Sequence, residues 1–185
     1  IDRILDDLWI AGEMSSVSLR YFNAGGANWS LGLGERHDPE THVSPLALRA
    51  AATLSPSFSV YGNDYPTRDG SCVRDFVHVL DLCSAHKLAL ELLNNYECRE
   101  IYNLGNDGEG TSVLEILQVV TKVTGLHVPF QIRDRRPGDP ARLIADSSKA
   151  RSELGWEPQF NSIEEIIRSA WLFENQLHSS SIRFK

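Results

Sequence analysis

The chain has 185 residues, 42% hydrophobic and 23% charged, the balance of an ordinary globular domain. A net charge of −7 excludes a general nucleic-acid or anionic-membrane binder, and no apolar run reaches the roughly 18 residues that a membrane span needs. Three cysteines without C-x-x-C spacing exclude a disulfide framework or a zinc knuckle and point to a reducing, cytoplasmic setting.

Ile1, Ile4, Leu5, Leu8 and Trp9 recur at helical spacing, so residues 1–10 read as a helix. The pattern is already running at Ile1 with no capping residue before it, and the expectation is a chain cut inside an element. Val17 to Phe22 reads as a short strand, followed by loop signals at Gly25, Gly26 and Gly34. A helix is predicted from Ser44 to Leu54 with Pro45 in its first turn, then a strand from Phe58 to Tyr61. Gly62 to Asp75 is polar, rich in Gly, Pro and Asp, and long enough to be a functional loop.

Phe76-Val-His-Val79 looks strand-like, and Asp81 is expected to cap a helix carrying Leu82, Ala85, Ala89, Leu92 and Leu93. Glu100 to Leu104 is a predicted strand. Ser112 and Glu115 then form a capping-box pattern that opens a helix through Val123. Val128 to Ile132 is a further strand, before a basic loop from Arg133 to Arg142. Helices near 147–154 and after a second box, Ser162 with Glu165, close the chain ahead of a loose tail at 179–185. Strands alternating with helices give an α/β protein, and the apolar strands at 17–22 and 101–104 read as members of a larger parallel sheet.

Several constellations have both a plain and a chemical reading. Gly105-Asn-Asp-Gly-Glu-Gly110 lies between a strand and a helix, but its spacing is wrong for G-x-G-x-x-G and its two acids would repel a pyrophosphate. A simple turn is the expectation, and no cofactor cradle is found. His37, Asp38, Glu40 and His42 carry metal-ligand chemistry but lack the helical spacing that converges imidazoles, so no metal is expected. Arg133, Arg135, Arg136 and Arg142 make either a solvated turn or an anion clamp, and Arg74 either an ion pair or a second phosphate donor. Spacing alone leaves both choices open.

The runs Leu19-Arg-Tyr-Phe-Asn23, Tyr61-Gly-Asn-Asp-Tyr-Pro-Thr67, Val73-Arg-Asp-Phe-Val-His78, Tyr102-Asn-Leu-Gly105 and Arg136-Pro-Gly-Asp139 occur in that order. Together with Gly34 to His42 and Ala145 to Lys149, they resemble the extended short-chain dehydrogenase/reductase family, in its UDP-glucose 4-epimerase branch. The resemblance implies the C-terminal part of such an enzyme: the last strands of a Rossmann sheet plus the small α/β substrate-binding domain. Its expected parts are the tail of the NAD-binding domain at 1–43, mainly substrate-binding domain with a return helix at 44–98, a final Rossmann strand and following helix at 99–125, and substrate-binding domain again at 126–178.

It further implies an NAD-dependent isomerase acting on UDP-glucose and UDP-galactose through a 4-keto sugar, homodimeric through a bundle that includes the first helix. Phe22 matches the position facing the nicotinamide of NAD. Asn23, Arg74 and Arg136 match diphosphate contacts, and His42 and Val43 match contacts near the same ligand. Ser59, Val60 and Tyr61 match the strand beside the uracil, Asp139 the acid at the ribose, and Leu143 a gate beside the sugar 2-position. His42 replaces an amide found in some members and Phe76 a tyrosine. The family's Tyr-x-x-x-Lys and Gly-rich cofactor loop are absent from the sequence, so the chain by itself is expected to be inactive. A related nucleotide-sugar dehydratase or decarboxylase, and a non-enzymatic nucleotide-sugar-binding module, are the alternatives.

Overall fold

The computed structural model describes residues 1–53 and 57–182, with side chains through 176. The predicted end of the second helix at Leu54 lies outside the described residues. The first helix, Asp2–Ile10 (α1), buries none of its side chains. It is held to the next elements by ion pairs of Asp2 with Arg20 and Asp6 with Arg99.

The first strand, Ser16–Arg20 (β1), ends two residues before its predicted limit. The chain switches there, and Asn23–Gly25 (β2) joins a different partner. The next elements are the helix Val43–Thr53 (α2) and the strand Phe58–Tyr61 (β3). Two short strands, Val73–Arg74 (β4) and Phe76–His78 (β5), lead directly into the helix Val79–Asn95 (α3).

The cap of α3 differs from the prediction. His78 is the N-cap, and its Nδ1 accepts the Leu80 N–H at 3.1 Å. Asp81 lies inside the first turn and reaches outward instead, accepting the backbone N–H groups of Gln159 at 2.8 Å and Phe160 at 3.0 Å. Its backbone carbonyl accepts the indole N–H of the fully buried Trp156. One acidic residue thereby ties a helix start to a loop far along the chain.

Arg99–Asn103 (β6) pairs in parallel with β1, in the register Val17 to Glu100. Thr111–Ser112 (β7) precedes the helix Val113–Thr124 (α4), where the predicted capping box is formed in both directions. Phe130–Arg133 (β8) pairs in parallel with β3, and Arg142–Leu143 (β9) lies in parallel beside β4. The helices Ser148–Leu154 (α5) and Ile163–Ile182 (α6) follow. The expected tail is therefore helical to Ile182, and residues 183–185 lie outside the described residues.

Two apolar cores result. In the first, α2, α4 and α6 pack through Leu48, Ile116, Val120, Ile166 and Ile167, with Phe58 and Val60 of β3 beneath them. In the second, α3 and α5 cover the β1–β6 pair through Leu82, Ala85, Ala150 and Leu154, around Tyr102, Leu104 and Trp156. By packing, α4 belongs to the first core. Among the described residues no helix is long and apolar enough to cross a membrane.

The seam between β2, β5 and α6 is unusually close. Gly26 sits at φ +79°, and a Cβ there would lie 2.5 Å from the His78 ring and 2.8 Å from Ser169 Oγ. Glycine is required both for the left-handed backbone and for the approach. The buried His78 ring stacks on Phe160, and its Nε2 lies 2.9 Å from Ser169 Oγ. Because Nδ1 accepts from Leu80, the neutral ring carries its proton on Nε2 and donates it to the serine. The serine hydroxyl in turn donates to the Ile166 carbonyl and accepts from Ala27 N–H. Burial outweighs the opposing pull of Asp81 and Glu165 and holds His78 below its ordinary value.

Candidate functional site

A cavity of about 610 Å³ opens between the edge strands and the Gly34–Val43 loop. Its volume falls within the ~300–1,000 Å³ typical of small-molecule sites. Eight of the residues singled out by sequence line it: Asn23, His42, Val43, Ser59, Tyr61, Arg74, Arg136 and Asp139. They come from β2, the start of α2, β3, β4 and the loop before β9, so the fold draws one site from five separate segments.

The pairing of β4 with β9 brings Arg74 close to the basic loop. Arg74 Nη2 donates to Asp139 Oδ1, and Nη1 donates to its neighbour's carbonyl, Val73 O, at 2.7 Å. The two side chains are only 12% and 24% exposed, so their attraction is weakly screened. Arg74 is thus ion-paired, and it also faces the cavity.

Arg136 places its guanidinium over the Tyr61 ring, 3.8 Å from the centroid. The positive charge beside it holds the Tyr61 phenol below its ordinary value. Asn23 Nδ2 donates to the Asp75 carbonyl at 2.8 Å, fixing the amide at the cavity rim. Asp75 itself is buried, and burial pushes its carboxyl up despite the N–H groups of Asn106 and Ala145 that it accepts. It braces the junction of β5, β6 and β9 from behind. Two guanidiniums facing one cavity, that of Arg136 over an aromatic ring, suit a ligand with a polyanionic centre and a planar end.

Three singled-out residues lie elsewhere. Val60 is 1% exposed because alternation on β3 turns it into the first core, and of the three matched residues Ser59 and Tyr61 line the cavity. Leu143 sits on β9 opposite Arg74 and does not line this cavity. Phe22 is exposed and lines a neighbouring, more apolar cavity of about 590 Å³ with Gly25, Gly26, Leu33 and Leu80. Asn23 and His42 belong to both cavities, so the two adjoin.

Sequence reasoning missed Leu46, Arg49 and Ala50 of α2 and the buried Cys72, all of which line the larger cavity. The helical period marks Leu46 and Ala50 as core positions, and nothing local distinguishes a residue at the end of a core from one at a cavity wall. The Gly105–Gly110 segment is an irregular loop between β6 and β7. Asp107 turns inward at φ 51°, where its carboxylate accepts Ser147 N–H and Oγ and pairs with Arg151. Burial opposes ionisation of Asp107, but these donors hold it below the ordinary carboxylate range.

Residues 2–170 match the family described as GDP-mannose 4,6 dehydratase. A UDP-glucose 4-epimerase of Lacticaseibacillus casei is 45% identical over 92% of this chain and 51% of its own length. Another, of Halalkalibacterium halodurans, is 48% identical over 84% of this chain and 46% of its own length. Among solved structures, the Brucella ovis UDP-glucose 4-epimerase in complex with NAD is 45% identical, with a TM-score of 0.86, covering 92% of this chain and 52% of that one. The Stenotrophomonas maltophila enzyme with bound NAD and formylated UDP-arabinopyranose is 40% identical, with a TM-score of 0.90, covering 97% and 53%. The chain thus spans about half the length of the relatives it matches, and over that half it has their α/β fold.

Proposed function

The chain belongs to the family described as GDP-mannose 4,6 dehydratase, and from that premise we propose that it is the nucleotide-sugar-gripping part of an NAD-dependent UDP-glucose 4-epimerase. The observation that carries this reading is the convergence of Arg74, Arg136 and Asp139 on one cavity beside Tyr61. The relatives at 45–48% identity that share this half of the protein carry the epimerase name.

In this reading Arg74 and Arg136 bind the diphosphate, Asn23 adds a donor, and Asp139 moves from Arg74 to a ribose hydroxyl. Tyr61 and Ser59, at the open end of β3, flank the uracil, while Val60 contributes backbone alone. His42 and Val43 close the opposite wall. Leu143, on the strand beside Arg74, acts as the gate near the sugar 2-position. A guanidinium pair holding the unreacting diphosphate supplies binding energy without restraining the hexose, which must turn over between two hydride transfers. That division of labour is what epimerisation through a 4-keto sugar requires.

NAD, when bound, supplies the hydride acceptor for C4. The residues present fit one face of it: the exposed Phe22 ring on an apolar cavity wall suits the flat nicotinamide, and Asn23 and His42 join that wall to the sugar side. The Gly105–Gly110 loop does not suit the cofactor's pyrophosphate, since Asp107 already occupies the Ser147 and Arg151 donors and Glu109 adds a second negative charge. No Tyr-x-x-x-Lys occurs in the 185 residues. The chain by itself is therefore inactive in this account and supplies the grip. In the longer enzyme, α1, with Ile4, Trp9 and Ile10 exposed, contributes to pairing of two subunits.

Competition calorimetry tests the reading. The 185-residue chain binds UDP in preference to GDP and gives no UDP-glucose from UDP-galactose with added NAD. Preference for GDP would make the site that of a dehydratase, and turnover by the chain alone would overturn its assignment as a grip.

A further inference from the structure

A second cluster of chemistry lies in the loop between Gly34 and Val43. Glu35, His37, Glu40 and His42 each bring one ligand-type atom to a common point, all within 4.8 Å of one another. His37 Nδ1 lies 3.0 Å from Glu35 Oε1 and 3.9 Å from Glu40 Oε1, and His42 Nδ1 lies 3.4 Å from Glu40 Oε1. His42 Nδ1 also pairs with Glu35 Oε1. The imidazoles meet edge to face, with centroids 5.0 Å apart, so both rings present the same nitrogen to the carboxylates.

Loop geometry achieves here what helical spacing would not. A tetrahedral ion with ligand bonds of ~2.0–2.2 Å places its ligand atoms roughly 3.3–3.6 Å apart. The observed separations bracket that range.

The Glu40 carboxylate gives an independent pointer. Its side chain is only 2% exposed, although its loop neighbours are open to solvent. Oε1 is fixed by the backbone N–H groups of Thr41 at 2.8 Å and His42 at 2.9 Å. Oε2 is buried without a hydrogen bond, and the nearest cation is Arg49 Nη2 at 3.7 Å. Arg49 compensates part of the charge on Oε2 without donating a hydrogen bond to it, and a cation on the carboxylate supplies the remainder. Two carboxylates and two neutral imidazoles form a donor set of charge −2, matched to a dication. Mixed nitrogen and oxygen ligands select a borderline transition metal over the hard alkaline-earth ions.

We propose that Glu35, His37, Glu40 and His42 form a binding site for one divalent transition-metal ion of the zinc class. It sits where the two cavities adjoin, since Glu40 lines the larger, Glu35 and His37 the apolar one, and His42 both. The inference shares His42 with the nucleotide-sugar reading, but its ligands are all protein atoms and its test contains no nucleotide, so the two fail separately.

The test is a calorimetric titration of the full 185-residue chain with Zn²⁺, paired with the visible absorption of added Co²⁺. One equivalent of Zn²⁺ binds with micromolar or tighter Kd, and Co²⁺ gives the intense ligand-field bands of a four-coordinate site. His37→Ala and Glu35→Gln each weaken binding by at least about tenfold, since even outer-shell changes at metal sites cost 10–100-fold. His127→Ala, at an exposed imidazole outside the cluster, leaves the titration unchanged. His37 is itself half exposed, so its variant keeps the fold, with an unchanged far-UV spectrum as the check. Absence of saturable Zn²⁺ binding, Zn²⁺ binding unaltered in both cluster variants, or equal affinity for Mg²⁺ would each overturn the proposal.

Discussion

Replacing Arg74 by Met and Asp139 by Asn, singly and together, measures how firmly the floor of the larger cavity is held. The pair is intermediate in burial, at 12% and 24% side-chain exposure. Exposed ion pairs couple by at most about 1 kcal/mol, whereas removing one partner of a fully buried pair costs ~3–5 kcal/mol. In Asp139→Asn, Arg74 keeps its bond to Val73 O, which lowers the expected loss. A coupling energy of about 2 kcal/mol follows, with each single variant losing about that much. For a chain of this size 1 kcal/mol corresponds to ~2–4 °C in Tm, so each single variant melts roughly 4–8 °C lower. The double variant loses little more than either single one. Urea unfolding of all four proteins at fixed pH gives the cycle. A coupling energy below ~0.5 kcal/mol would place the pair among solvent-screened contacts and refute the reasoning.

Two further outcomes follow from the seam behind the site. Gly26→Ala forces a Cβ onto the His78 ring and Ser169 in a left-handed backbone, costing about 2–4 kcal/mol by urea unfolding. His78 is held neutral by burial, so its folded pKa lies below its unfolded value of about 6.5. Below that pH the unfolded chain takes up a proton that the folded chain refuses, and stability falls until the pH passes the folded pKa. His78→Asn flattens this part of the profile, read as the change in urea midpoint between neutral and mildly acidic pH.

Much of the architecture could be read before any coordinates. The Ser112–Glu115 box and the strand Phe58–Tyr61 are local signals with structural counterparts, and Arg74 and Arg136, which spacing left open, line one cavity. What escaped the sequence depends on contacts made at a distance. Asp81 has the look of a cap, yet its carboxylate serves residues 159–160, which no local pattern reveals. Tyr21 and Phe22 prolong an apolar run, but the strand stops at Arg20 because the next segment pairs with β5. Val60 falls in a matched segment, and alternation gives its side chain to the core. His37, Glu40 and His42 are visible in the sequence, but their meeting with Glu35 is not, since an irregular loop without periodicity brings the four together.

The account depends on Arg74 and Arg136 acting on the same bound diphosphate. Isothermal titration of UDP into the full chain and into Arg74→Met and Arg136→Ala measures this most directly. Wild-type binding should weaken by about 30-fold or more on loss of the half-buried Arg74, and by about three- to fivefold on loss of the exposed, ring-stacked Arg136. UDP affinity within twofold of wild type in both variants would contradict the account.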